Sequence, residues 1–144
     1  MSERTILVRK LEELDRYLAE LERLRGHTFE DLATSLSLAW SVEHGLQLSI
    51  QIVLDIGNHI LAALGEQEIE NYVEVIEKLG ERGIIPEDFS ARIRGMAGFR
   101  NILVHEYAEV NLREVYRILQ ERLDDFREFA RYIGNYIIEH MERE

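Results

Sequence analysis

The stretch from Leu32 to Leu54 most constrains the fold, because it contains a single charged residue, Glu43. Its apolar side chains lie on more than one face of a predicted helix that opens at Thr28 and continues to Gly65. A helix that is apolar on nearly every side must be covered on nearly every side. The sequence therefore predicts a central helix within an all-α bundle, with Trp40 in the core, and a second subunit could cover part of this helix.

Apolar residues at steps of three and four predict further helices around the central one. These helices span residues 3 to about 25, about 70 to 80, about 87 to 105, and from 111 nearly to the end. Thr28 with Asp31 approximates a capping box, Asn111 followed by Glu114 marks another N-terminus, and Pro86 suits a first helical turn. We therefore predict one domain over residues 1–144, an up-and-down bundle of four long helices plus one short helix.

The charge balance narrows the possible partners. The formal net charge of -11 argues against a protein that coats nucleic acid or binds an anionic membrane. The uncharged runs, such as His44–Leu54, are shorter than the ~18 residues of a membrane span, and residues 1–4 lack the apolar run of a secretory signal. With 0 Cys there is neither a thiolate metal site nor a disulfide. We expect a soluble, cytoplasmic protein without a metal, a cofactor or a membrane partner.

Residues 89–105 depart from the acidic background, because they contain no carboxylate and three arginines, Arg92, Arg94 and Arg100. Such a stretch can hold an anion locally even in a negatively charged chain. Arg100 also begins a string in which four residues separate it from His105, and one further residue separates His105 from Tyr107.

The string Gly-Phe-Arg-Asn-Ile-Leu-Val-His-Glu-Tyr, residues 98–107, resembles the Arg-x4-6-His signature of the HEPN superfamily. It has the Arg-x4-His-x-Tyr form of the HepT toxins, which partner MntA-type minimal nucleotidyltransferases. Residues 46–51 and 54–60 are similar to another typical segment of that family. The resemblance covers nearly the whole chain. It implies a HEPN-like helical domain, a two-fold dimer or a higher assembly, and an endoribonuclease toxin of a type VII toxin–antitoxin system.

The residue types fit this chemistry. Cleaving RNA without a metal needs a base that takes the proton of a 2'-hydroxyl and a fixed cation that stabilises charge on the phosphate. His105 and Arg100 supply these groups, and the expected products are a 2',3'-cyclic phosphate and a 5'-hydroxyl. On a straight helix, the side chains of residues five positions apart, such as Arg100 and His105, point in directions that differ by roughly 140°. We therefore expect the fourth helix to end or distort near His105, and a dimer to bring two copies of the motif into one cleft.

The resemblance also implies roles for neighbouring residues. Tyr107 would be the target to which the nucleotidyltransferase antitoxin transfers AMP, which would block RNA by occupancy and charge. Asn101 would support the site by hydrogen bonding. Independently of the resemblance, Asp55 and His59 lie four apart on a polar stripe of the central helix, and we expect Asp55 or His59 to face the cleft and orient Arg100 or His105; a role as metal ligands would need a third partner.

Each assignment has an alternative. Arg100 and His105 could have a structural role, in which they form ion pairs with the excess carboxylates of this acidic chain. Tyr107 could be an ordinary packing residue. Asp55 and His59 could form a satisfied core hydrogen bond. As alternatives to RNA contacts, residues 92 and 94 could be solvated arginines. At the level of function, the alternatives are a non-catalytic helical subunit that presents a substrate to a nucleotidyltransferase, and a purely structural dimer.

Overall fold

The computed structural model describes residues 1–104 and 111–141, apart from the side chains of residues 101, 102 and 104. This part of the chain is all-helical, without a strand. Its helices are α1 Glu3–Leu24, α2 Phe29–Thr34, α3 Leu36–Ala63, α4 Tyr72–Glu81, α5 Glu87–Ile93, α6 Gly95–Val104, α7 Leu112–Glu121 and α8 Leu123–His140. The all-α prediction is confirmed.

The predicted helix starts are set by side-chain caps. Thr28 and Asp31 form a reciprocal capping box, in which the Thr28 hydroxyl accepts from the Asp31 amide at 3.1 Å and the Asp31 carboxylate accepts from the Thr28 amide at 2.9 Å. The Asn111 side chain accepts from the Glu114 amide at 3.2 Å and opens α7. Pro86 lies one position earlier than expected, as the residue that precedes α5.

Three of the predicted helices are each divided in two. The central one breaks at Ser35, whose extended backbone ends α2 and whose hydroxyl caps α3 by accepting from the Leu38 amide. The fourth breaks at Arg94 and the last at Arg122. The prediction of continuous helices was wrong at these points, because the apolar period continues across each break and periodicity alone does not register a change of axis.

α3 is the central helix of the fold. It contacts α1, α2, α4, α6, α7 and α8, and the side chains that it buries include Leu46, Ile50, Val53, Ile56 and Ile60. By length and composition α3 could cross a membrane, with a mean hydropathy of 1.3 over its most apolar window, of which 56% is buried inside the protein. The core helix of a soluble protein has the same properties, so the central position of α3 accounts for its composition.

The first half of α3 keeps an uncovered strip. Trp40 is 61% exposed and Leu36, one turn earlier, is 65% exposed. The prediction that Trp40 lies in the core was therefore wrong. Within residues 1–104 and 111–141, the other helices bury much of α3 and leave Leu36 and Trp40 largely exposed. We call Leu36, Trp40 and His44, which follow one another at steps of four, the open strip of α3.

α4 lies unusually close to α3 at Gly57. A Cβ atom at this position would lie 2.7 Å from Val75 Cγ1 and 3.0 Å from Leu79 Cδ1. Both are buried side chains of α4. The glycine therefore lets the two backbones approach, and Tyr72, the first residue of α4, packs against the hydrophobic core.

The first and last long helices are joined by charged side chains. Arg127 of α8 donates hydrogen bonds to both carboxylate oxygens of Glu22 of α1, at 3.1 and 2.7 Å, and also binds Asp15. These hydrogen bonds lower the pKa of Glu22 below its ordinary value. The contact fixes α8 along α1 at the edge of the core.

Candidate functional site

Arg100, on α6, is held by residues of two other helices. Its Nε donates a hydrogen bond to Gln51 Oε1 of α3 at 2.8 Å. Its guanidinium carbon lies 4.7 Å from the centroid of the Tyr72 ring of α4, a cation–π distance. The side chain is half-buried. Arg100 therefore has a defined orientation at the junction of α3, α4 and α6.

Behind Gln51 lies a second polar contact on α3. Gln51 Nε2 donates to Asp55 Oδ1 at 2.8 Å, and Lys10 Nζ of α1 lies 4.0 Å from Asp55 Oδ2. Gln51 therefore links Asp55 to Arg100. Asp55 was predicted as the orienting residue, but Gln51, one turn earlier on the same helix, makes the direct contact with Arg100.

His59 belongs to a different neighbourhood. Its Nε2 lies 3.2 Å from Glu3 Oε1 of α1, without the alignment of a hydrogen bond. Nearby, burial raises the pKa of the Tyr136 phenol, and the Glu3 carboxylate acts in the same direction. The structure therefore places His59 beside Glu3, the first residue of α1, and its orienting role stays a prediction.

Arg92 and Arg94, the other arginines of the carboxylate-free stretch, differ from each other. Arg92 Nη2 lies 2.9 Å from Asp125 Oδ1, and Arg122 Nε lies 2.8 Å from Asp125 Oδ2. Asp125 is 1% exposed, and neither contact has hydrogen-bond alignment. Arg94, at the α5–α6 junction, is exposed and makes no ion pair within residues 1–104 and 111–141. Arg92 therefore compensates a buried carboxylate, while Arg94 remains available to solvent.

A cavity of about 620 Å³ is bordered by α6, α7 and α8. Ile50 and Phe99 line it, and most of its other lining residues are contributed by α7 and α8. Gln51 and Arg100, which follow Ile50 and Phe99 in the sequence, do not belong to its lining. The contact between Arg100 and Gln51 is therefore separate from this cavity.

The rest of the motif lies outside the described residues. This holds for His105 and Tyr107, and for the side chain of Asn101. The expected convergence of Arg100 with His105, the expected end or distortion of the helix at His105, and the roles of Asn101 and Tyr107 therefore stay predictions.

The all-α fold, with an anchored arginine at the head of the Arg-x4-His-x-Tyr string, defines a protein of the HEPN class. The sequence profile of the family described as Ribonuclease HepT-like matches residues 14–133. This match spans most of the chain, and the protein belongs to that family.

Relatives of similar length match most of the chain. The chain is 29% identical over 136 residues to the tRNA nuclease HepT of Aphanizomenon flos-aquae, covering 94% of this chain and 92% of the relative. It is 27% identical over 124 residues to the mRNA nuclease HepT of Shewanella oneidensis, covering 86% and 92%. The tri-AMPylated HEPN toxin of Shewanella oneidensis, solved in complex with its MNT antitoxin, superposes with a TM-score of 0.81 at 27% identity, covering 94% and 99%.

Proposed function

We propose that the whole chain is one HEPN-like domain that acts as a metal-independent endoribonuclease toxin of a type VII toxin–antitoxin system. Arg100 anchors the scissile phosphate and stabilises the transition state, and His105 is the general base or acid. The observation that carries this proposal is the anchored guanidinium of Arg100, which is oriented from two helices as a preorganised phosphate site requires. The nuclease relatives support the choice of RNA as substrate.

The reaction needs only the chain and its substrate. His105 takes the proton of a ribose 2'-hydroxyl, and the oxygen attacks the adjacent phosphorus. The bond to the 5'-oxygen breaks, that oxygen gains a proton, and a 2',3'-cyclic phosphate remains. Arg100 offsets the negative charge that accumulates on the phosphoryl oxygens. DNA resists this route because it lacks the 2'-hydroxyl. Among the other candidate residues, Arg94 contacts RNA, Asn101 supports the site, and Arg92 is assigned to Asp125 instead.

The antitoxin would act on Tyr107. An MntA-type nucleotidyltransferase transfers AMP from ATP to the phenol oxygen, which forms a bond to the α-phosphorus as pyrophosphate leaves. The added phosphate places negative charge and bulk where the substrate phosphate binds. The tri-AMPylated state of the Shewanella oneidensis toxin supports this step. The acceptor is tested by the intact mass after incubation with the cognate nucleotidyltransferase and ATP. A gain of AMP that persists in Tyr107→Phe would exclude Tyr107.

A homodimer follows from the same proposal. The open strip of α3 exposes Leu36 and Trp40 in a stretch that is almost free of charge. Two copies of a chain with net charge -11 repel each other least through such a neutral face. We expect the wild type to sediment as a dimer and Trp40→Glu as a monomer. A monomeric wild type at micromolar concentration would contradict the dimer.

Expression without an antitoxin tests the enzyme. The wild type should arrest growth and cleave RNA in the presence of a chelator, while His105→Ala should lose about 10²- to 10⁴-fold in rate. Arg100→Ala should be similarly impaired, and Arg16→Ala, which removes an exposed arginine of α1, serves as the charge-matched control. If the wild type and His105→Ala were equally harmless and inactive, the chain would be a non-catalytic partner of the nucleotidyltransferase.

A further inference from the structure

The Arg100 guanidinium is restrained by two contacts. Its Nε donates to Gln51 Oε1 at 2.8 Å, and its central carbon lies over the Tyr72 ring, 4.7 Å from the ring centroid. A long arginine side chain loses rotamer entropy when it must hold one geometry. Restraint before substrate binds means that less of this loss occurs in the transition state.

We propose that Gln51 and Tyr72 are positioning residues that fix the Arg100 guanidinium, and that Asp55 sets the orientation of Gln51. We call these three side chains the Arg100 clamp. Its importance for catalysis rests on the proposed ribonuclease function, whereas the restraint itself does not. Neither Gln51 nor Tyr72 belongs to the Arg-x4-His-x-Tyr string.

Asp55 decides which end of the Gln51 amide faces Arg100. An ionised carboxylate only accepts hydrogen bonds, so it can pair only with the amide NH₂ group of Gln51. The 2.8 Å contact from Gln51 Nε2 to Asp55 therefore turns Oε1 toward Arg100, where an acceptor is needed. Lys10, at 4.0 Å, offsets part of the charge of Asp55. An asparagine at position 55 could pair with either end of the Gln51 amide, so it would no longer determine which end faces Arg100.

Tyr72 is placed by the packing of α4. It is the first residue of that helix, directly after the cap residue Asn71, whose side chain accepts from the Glu74 amide at 2.9 Å. The close approach of α4 to α3 at Gly57 fixes the position of the helix. The contact with Arg100 uses the ring face, so the phenylalanine ring should serve as well as the tyrosine ring.

The clamp predicts an ordered series of activities. Tyr72→Leu should lower kcat/KM on RNA roughly two- to thirtyfold, which is the range of a cation–π contact, whereas Tyr72→Phe should restore it to within about twofold of the wild type. Gln51→Ala should lower kcat/KM about tenfold through loss of a hydrogen bond to a charged group. Gln51→Glu should not rescue, because it places a second carboxylate beside Asp55 and Arg100.

A spectroscopic test addresses the clamp without RNA. In protein labelled with ¹⁵N-arginine, the Nε–Hε signal of Arg100 is identified by its loss in Arg100→Lys. We expect this signal to shift and exchange faster in Gln51→Ala, to shift in Tyr72→Leu, and to stay near its wild-type position in Tyr72→Phe. Tyr17→Leu, which removes a half-buried ring from α1, is the matched control and should leave the signal unchanged.

The outcomes separate the two proposals. A signal that is unchanged in both Gln51→Ala and Tyr72→Leu overturns the clamp, whatever the RNA assay shows. If the Arg100 signal responds as expected but the protein cleaves no RNA, the clamp proposal stands and the proposed ribonuclease function is refuted. Thermal unfolding of each variant shows whether it is folded. If Tyr72→Leu does not fold, the comparison of Gln51→Ala with the wild type decides the question.

Discussion

Replacing Gly57 by alanine tests the close approach of α3 and α4. In an open helical position this substitution stabilises a protein by about 1 kcal/mol, because glycine is a poor helix former. At Gly57 the new methyl group would lie 2.7 Å from Val75 Cγ1 and 3.0 Å from Leu79 Cδ1. These side chains are 1% and 0% exposed, and valine has essentially one rotamer in a helix, so neither can move aside freely.

The expected magnitude follows from the two opposing effects. Overpacking of a close-packed interior costs about 1–3 kcal/mol, which exceeds or offsets the gain in helix propensity. Gly57→Ala should therefore be destabilised by up to about 2 kcal/mol. For a chain of 144 residues, 1 kcal/mol corresponds to a Tm change of about 3 °C. The variant should thus melt up to about 6 °C below the wild type.

Gly134→Ala is the matched control. This glycine is also within a helix, α8, but a Cβ atom there would meet no atom within 4 Å. Its substitution should raise the Tm by about 3 °C. Differential scanning calorimetry of the wild type and both variants gives the comparison. If both substitutions raised the Tm equally, the α3–α4 distance at Gly57 would have to be larger than described, and the placement of Tyr72 against Arg100 would lose its support.

Three further predictions concern stability. Arg92→Ala should cost up to about 3 kcal/mol in urea unfolding, because it removes one of the two guanidiniums that compensate the buried Asp125 carboxylate, and Asp125→Ala should cost less, since the guanidiniums that it leaves behind are partly exposed and can be solvated. Arg127 lowers the pKa of Glu22 in the folded state, so this pair stabilises the protein above the unfolded pKa of about 4.3, and the stabilisation is lost as the pH falls through the folded-state pKa. The Tm difference between the wild type and Glu22→Gln should therefore vanish in acid. A Tm difference that grew in acid would contradict this prediction. Thr28→Ala removes the capping box and should cost about 1 kcal/mol, measured in the same unfolding assay.

Local signals predicted the helices and their starts well. The apolar period and the caps at Thr28 and Asn111 act within one or two turns, so one sequence contains all the information they need. The breaks at Ser35 and Arg122 were not predicted. At Arg122 the change of direction accompanies a contact with Asp125 and with the Arg92 carbonyl, which lies thirty positions earlier. Such a contact depends on tertiary packing and leaves no local pattern.

In the candidate site, too, the features set by local sequence were predicted and the contacts set by tertiary packing were not. Arg100 was identified from the string that it begins, and the polar stripe on α3 was identified from its spacing. The partner of Arg100 could not be identified, because Gln51 and Asp55 lie on one stripe and only the rotation of α3 against α6 decides which side chain meets the guanidinium. Tyr72 carried no signal, since a tyrosine at the start of a helix is ordinary and its contact joins α4 to α6. Trp40 was misplaced because hydrophobicity does not state which face of a central helix stays open.

The pairing of α8 with α1 has a consequence for synthesis. The Arg100 string precedes α8 in the chain, so it is synthesised while α1 still lacks the neighbour that Arg127 fixes beside it. The surface of α1 and α3 that α8 covers in the folded molecule stays exposed to water until α8 has been synthesised. We therefore expect a truncated chain that ends before α8 to remain open and to be degraded by proteases.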